Sequence, residues 1–365
     1  MDKQSSLTNR PNQIHLLCFV IHLGGIFLMF PEAILVLGTA PWVAVLTVSL
    51  IYFLHLWLYV SGLKKFPGQN LIDIFLEKGT WAARLLLLPY ALYVLFSIII
   101  VIRAHAEMLT VTMFKQTPIW ALSLMLIIVP MYLAGKGIAT ILRSAMLLSA
   151  ICLPLLAGSI LMTYQNLDYR NLLPLTDFSF SYLHDVRFYS LLFVFSPFLT
   201  LGMLNRERAL LAGSRRRRLY YGLGVLLCLC SFLAVYIPIL TFGPEMSVRV
   251  QFSMLIAIDA VDMEWFVFDR ITLFYVCAVL GFLILLQAVF FWIATQILSR
   301  LFLPRMKKHR LVAGIGVLLF IVTLQIPSWD WVFRLLLWDT PLRLYCMLGI
   351  PLLVKVWSLR QGGSA

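Results

Sequence analysis

The chain has 365 residues, 62% of them hydrophobic and only 12% charged, with a formal net charge of +13. A soluble domain carries about half apolar and about a quarter charged residues, whereas here the apolar residues come in runs that suit the ~20 residues of a bilayer-spanning helix. The composition therefore argues against a soluble enzyme, and the basic residues, lying between apolar runs, argue against a nucleic-acid partner.

A polar leader, MDKQSSLTNRPNQ, precedes the first run. That run is too long for a signal-peptide core and no small-x-small cleavage site follows it, so it is expected to be a retained first helix. Apolar runs cover residues 14–37, 42–62, 83–102, 119–133, 138–163, 188–204, 219–242, 271–298, 311–326 and 342–357. No stretch between them is long enough for a soluble domain. The expectation is an all-α integral membrane protein of about ten transmembrane helices, with residues 1–365 forming a single permease-like domain. Counted on alternate sides, 21 of the 29 basic residues fall on the side of both termini. The N-terminus and C-terminus are therefore expected to be cytoplasmic. The run Arg215–Arg218 is expected to meet anionic membrane lipid, at about 1 kcal/mol per residue.

Two outer segments are long enough to carry structure. One, 164–187, contains NLDYRNLLPL. In the other, 243–270, Val248, Phe252, Leu255, Ile256 and Ile258 interleave with Arg249, Asp259 and Asp262, which predicts one short amphipathic helix on the outer face, as a packed cap or as a gate.

The first span carries Gly24-Gly25 followed by Pro31, and the sixth carries Ser196-Pro197 near its centre. Glycine weakens a helix and proline deletes one of its backbone hydrogen bonds, so residues 24–31 are expected to frame an unwound stretch. Ten spans divide into five plus five, with the second half inverted, giving repeats of about 14–163 and 188–357. Interruptions at matching positions of two inverted halves point to a central site, where broken helix ends offer amides and a positive dipole end to an anionic group. Glycine and proline are also ordinary packing devices in membrane helices.

Further polar groups are candidates beside these breaks. Tyr93 and Ser97 are four apart and share a face of the third span, and Gln287 lies midway along the eighth. Glu32 follows Pro31 directly; it is either a functional intramembrane carboxylate or one that reaches the headgroups. Arg103 and Glu107, also four apart, predict an interfacial ion pair at the end of the third span. His15, His22 and His55 are scattered and are expected to be structural. The six cysteines lie inside apolar runs, with no Cys-x-x-Cys pair and no Cys/His cluster at metal spacing, and are expected to pack as small apolar residues. No catalytic constellation, metal site or cofactor motif is legible, so no enzymatic role is expected.

The segments GGIFLMFP, LKKFPGQNLIDIF, IRAHAEML, QTPIW, GKGIATILRSAMLL, NLDYRNLLPL and FVFSPFL occur in this order. In combination they resemble the B-subunit permeases of spore germinant receptors, the GerAB-type family, a branch of the amino acid–polyamine–organocation superfamily. The resemblance implies a LeuT-like five-plus-five fold in the inner membrane of an endospore. It also implies a small nutrient ligand, often an amino acid, ion release on germination, and A-type and lipoprotein C-type subunits as partners. Carried onto this chain, the ligand positions it implies are Gly24, Gly25, Tyr93, Ser97, Ser196, Pro197, Phe198 and Leu199, to which the pattern of breaks adds Pro31 and Gln287. Glu32 and the acidic segment with Asp259, Asp262 and Glu264 have no match in that pattern. The leading expectation is a nutrient-sensing receptor subunit. The alternatives are a secondary amino-acid transporter coupled to a proton or sodium ion, and a membrane scaffold whose pocket has lost ligand binding.

Overall fold

In lipid every backbone polar group must find its partner within the protein, and a helix does this within one segment. The apolar runs accordingly fold as helices. The computed structural model describes residues 11–37, 41–172, 180–205, 214–261 and 271–361. The leader through Arg10, and the acidic residues Asp262 and Glu264, lie outside the described residues.

The first span is α1 (Pro11–Leu28) and, after a break at Met29, α2 (Phe30–Leu35). α3 (Pro41–Leu63) leads to the short α4 (Leu71–Leu76). There the Asp73 amide donates to the Asn70 side chain at 2.9 Å and the Asn70 amide to the Asp73 carboxylate at 3.1 Å, a reciprocal helix start. Then come α5 (Thr80–Thr112), α6 (Ile119–Lys136) and α7 (Ile138–Met162). The sixth span is composite: α8 (Val186–Ser190), a 3-10 stretch (Leu191–Leu199), and α9 (Thr200–Leu204). α10 (Ser214–Phe242) is followed by the short α11 (Pro244–Arg249) and α12 (Ser253–Asp259), then α13 (Thr272–Ile297). α14 (Lys308–Leu324) turns through 119° into α15 (Trp329–Trp338). The last span is α16 (Thr340–Leu344), a π-helical turn (Tyr345–Gly349) and α17 (Ile350–Gln361).

Eight of these spans are long and apolar enough to cross a membrane, and the bent pair supplies a ninth. The shorter apolar helix Asn12–Leu28 stands where the first span was expected. The protein is thus an all-α, multi-pass membrane protein of the expected kind. Burial shows which spans are central: Val186–Leu204 and Thr272–Phe302 are mostly buried, whereas most of Ile138–Asn166 is exposed or half-buried. The centre is therefore built from α1, the broken sixth span and α13. Leu85, Met125, Leu147 and Leu161 are exposed on the rim, as suits side chains that face hydrocarbon.

Three local expectations need correction. The single amphipathic helix over 248–258 is two helices, α11 and α12, because Phe252 between them is left-handed at φ 55°. Leu255 and Ile258 are buried while Val248 is exposed, so no single stripe runs through the segment. Asp259 accepts from the Thr272 hydroxyl at 2.6 Å and so joins α12 to the start of α13. α5 runs ten residues past the end predicted for the third span, which puts Arg103 and Glu107 inside the helix. Their ion pair forms, and Arg103 also donates to the carbonyls of Ile326 at 2.9 Å and Pro327 at 3.2 Å. It thereby ties α5 to the bend between α14 and α15. Last, Cys277 is exposed on α13, whereas the other cysteines are buried or half-buried.

Candidate functional site

Pro31 has no amide hydrogen, so the Phe27 carbonyl, four residues earlier, loses its helical donor. The Tyr275 hydroxyl from α13 donates to that carbonyl at 2.6 Å. Gly24 and Gly25 lie inside α1, and the Met29 amide still donates to the Gly25 carbonyl at 3.0 Å. Within the stretch 24–31 the helix is not unwound at the glycines; the interruption is a distortion at Met29, φ −111°, whose amide and carbonyl both keep their helical bonds. The reason is that glycine lowers helix propensity while leaving every hydrogen bond possible, whereas proline removes one. What the glycines provide is close approach. A Cβ on Gly24 would stand 2.3 Å from Leu283 Cγ of α13, and one on Gly25 would stand 3.5 Å from Phe193 Cζ of the sixth span.

The sixth span also carries a proline, within a 3-10 stretch whose bonds run from residue i+3 to residue i. The missing Pro197 amide therefore leaves the Val194 carbonyl without its helical donor, while Ser196 Oγ donates to the Phe193 carbonyl at 2.7 Å. The Tyr93 hydroxyl of α5 donates in turn to Ser196 Oγ at 2.5 Å, and Ser97, one turn along, bonds the same tyrosine. Further on, Tyr59 of α3 donates to the Leu199 carbonyl at 3.3 Å. Nine consecutive 3-10 residues surround this proline, where runs beyond about four are uncommon and mid-helix 3-10 backbone often marks a hinge.

Gly25, Tyr93, Ser97, Ser196 and Pro197 thus meet around Phe193. Pro31 acts through the Phe27 carbonyl. Phe198 points elsewhere, into rings of α3: its centroid is 5.7 Å from Tyr59, 6.1 Å from Tyr52 and 6.5 Å from His55. Leu199 contributes its carbonyl to Tyr59. Gln287 is buried one turn beyond Leu283, and its Oε1 has no hydrogen-bond partner. Glu32 is turned away from the break. Its carboxylate accepts from the Phe252 amide and, at 3.1 Å, from the Trp329 indole. The histidines make local contacts: His22 Nδ1 lies 2.6 Å from the Cys18 carbonyl, and His15 stacks on Tyr220 at 4.3 Å.

Sequence reasoning missed Tyr59, Tyr275, Asp339 and Arg343. The tyrosines carry no local signal, since each is one aromatic residue in an apolar run. Arg343 did carry one. It lies just inside the run 342–357, and an ionisable side chain within a span is a functional or structural flag. Arg343 is fully buried, pairs with Asp339 at 2.8 Å, and donates to the carbonyls of Ser190 at 2.9 Å and Leu336 at 3.1 Å. Its guanidinium stands 6.0 Å from the centre of the Phe193 ring. It therefore braces the entrance to the 3-10 stretch.

A profile of the family described as "Spore germination protein" matches residues 10–328. The chain belongs to the spore germination protein family. This family member is 25% identical over 279 residues to spore germination protein KB of Bacillus subtilis (strain 168), across 73% of this chain and 72% of that protein. Its structure is similar to that of MhsT, solved in complex with L-phenylalanine, with a TM-score of 0.56 at 12% identity, covering 94% of this chain and 97% of that one. At that identity the likeness establishes the fold, a LeuT-like one, as the resemblance in sequence implied.

Proposed function

We propose that this chain is the B subunit of a spore germinant receptor, which binds a small nutrient of the amino-acid class at the paired helix breaks and so triggers germination and ion release. In this reading it spans the inner membrane of the endospore with both termini cytoplasmic, and it works with A-type and lipoprotein C-type subunits. Residues 14–163 and 188–357 are then its two inverted repeats. Family membership and the LeuT-like fold support the reading. The observation that carries it is that two adjacent spans are each interrupted beside a proline and each have a carbonyl there held by a side-chain hydroxyl, Phe27 by Tyr275 and Phe193 by Ser196.

Those hydroxyls suggest how binding is sensed. An ammonium group is a stronger, charged donor to a released carbonyl than a hydroxyl is. A ligand ammonium that takes over a carbonyl frees Tyr275 or Ser196, and the freed hydroxyls, with Tyr93 and Ser97, can donate to the ligand carboxylate. Binding then exchanges ties between spans for ties to ligand, which loosens the 3-10 segment from α5 and α1 from α13. Gln287 Oε1 offers one more acceptor to the ligand.

The test is the nutrient dose-response of spores carrying Gly25→Leu, with protein abundance measured in the membrane. The added side chain drives into Phe193, and a response loss of about 10-fold or more is expected, equivalent to about 1.4 kcal/mol. Ile99→Leu on α5 serves as control. Normal accumulation with an unchanged dose-response would remove the breaks as the site. Recovery of the chain without an A-type subunit after gentle extraction would count against the receptor role. The fold likeness to MhsT favours a second reading, a secondary amino-acid transporter coupled to a proton or sodium ion, and saturable uptake of radiolabelled amino acid by vesicles holding this chain alone would select it.

A further inference from the structure

A cavity of about 410 Å³ opens beside the paired breaks. Four elements wall it: α2 and α8, which flank the breaks of spans one and six, together with α11 and α15. Its lining combines two cations, Arg187 and Arg249, two carboxylates, Glu32 and Asp330, and the rings of Trp329 and Phe333.

The geometry sorts these groups by availability. Both Glu32 oxygens are engaged, by the Phe252 amide and the Trp329 indole. Glu32 therefore sets the wall: it holds α2, the α11–α12 junction and the start of α15 in one arrangement. Phe252 is the only non-glycine residue at positive φ among those described, a conformation unfavourable to a side chain, and its amide is the one Glu32 binds. Arg187 is engaged by Asp185 at 2.6 Å, and the guanidinium holds that carboxyl below its ordinary range. Arg249 and Asp330 remain. Each is exposed, and neither has an ion-pair or side-chain hydrogen-bond partner among the described residues.

Arg249 on α11 and Asp330 on α15, unpaired among the described residues, lie beside two aromatic rings on a fixed wall and suit a molecule with a carboxylate, an ammonium and an apolar body. We propose that this cavity is a second ligand site, distinct from the paired breaks, for an amino-acid zwitterion with an apolar or aromatic side chain. Arg249 takes the carboxylate, Asp330 the ammonium, and Trp329 with Phe333 the side chain. The volume lies at the small end of the ~300–1,000 Å³ of ligand pockets. The inference rests on this lining alone and holds whether or not the paired breaks bind.

Val250 and Val36 also line the cavity and supply reporters. Val250→Cys and, separately, Val36→Cys are prepared in purified full-length protein and modified with N-ethylmaleimide. The modified peptide is quantified by mass spectrometry with L-leucine, L-phenylalanine or L-valine present. A site with a Kd of about 1 mM should slow modification about 10-fold at about 10 mM ligand. Phenethylamine and 3-phenylpropionate, each lacking one charge, should protect less than L-phenylalanine. Protection should be lost in Arg249→Gln and Asp330→Asn and retained in Ser196→Ala, which touches only the paired breaks. Two results overturn the proposal: no protection of either reporter by any of these amino acids, or protection lost in Ser196→Ala but kept in Arg249→Gln, which would place the ligand at the breaks instead.

Discussion

The Tyr275 hydroxyl meets the Phe27 carbonyl at 2.6 Å across 248 residues of sequence, and the carbonyl is free to accept because residue 31 is proline. In the sixth span, where the backbone is 3-10, Ser196 beside Pro197 donates to the Phe193 carbonyl at 2.7 Å. Each interrupted span thus has a proline and a nearby carbonyl held by a side-chain hydroxyl.

Tyr275→Phe should strand the Phe27 carbonyl in an apolar setting. Interhelical bonds of this kind are worth about 1–2 kcal/mol in model systems. The expected outcome is a lower Tm for the protein purified in detergent, with Tyr132→Phe, at an exposed tyrosine, unchanged. An equal Tm for Tyr275→Phe would mean that the carbonyl needs no outside donor.

The two adjacent glycines should respond differently to the same small change. Gly24→Ala places a methyl group 2.3 Å from Leu283 Cγ, whereas Gly25→Ala reaches only ordinary contact at 3.5 Å from Phe193. Overpacking of this sort costs about 1–3 kcal/mol. Gly24→Ala should lower the Tm, Leu283→Ala in the same chain should restore part of the loss, and Gly25→Ala should stay near wild type. Equal effects at both positions would show that α1 and α13 yield freely.

Arg343 and Asp339 are almost wholly buried as a pair. Removing one partner of such a pair leaves an uncompensated charge and costs about 3–5 kcal/mol, while replacing both by apolar residues is often far milder. Arg343→Leu and Asp339→Leu should each reduce the yield of folded protein by size-exclusion chromatography. The double variant should recover it in part. A double variant as poor as the sum of the two would mean that Arg343 matters chiefly for the carbonyls of Ser190 and Leu336.

The proposed orientation rests on the bias of basic residues. In intact cells, Lys308→Cys should be shielded from a membrane-impermeant maleimide, and Tyr169→Cys, at an exposed loop position, should react. The opposite pattern would invert the topology.

Hydropathy alone was enough to place the spans, because transfer of each side chain from water to lipid is a local, additive property. The prolines at 31 and 197 were legible for a similar reason: the missing amide hydrogen is a covalent fact about one residue. The four-residue spacing of Tyr93 with Ser97, and of Arg103 with Glu107, follows from the helical repeat and held in the fold. Packing decided the rest. Gly24 could be read as a weak point of the helix, yet its place against Leu283 makes it a point of close approach, and the break falls at Met29. Glu32 could be read as a functional intramembrane carboxylate or as one reaching the headgroups, and only the fold supplies its partners, the Phe252 amide and the Trp329 indole. In the sequence Arg343 is a single charge at the edge of the run 342–357, and only the fold packs it against the broken sixth span. These outcomes depend on which side chains face one another across helices far apart in sequence, and a buried carbonyl or carboxylate takes whichever donor that packing brings within reach.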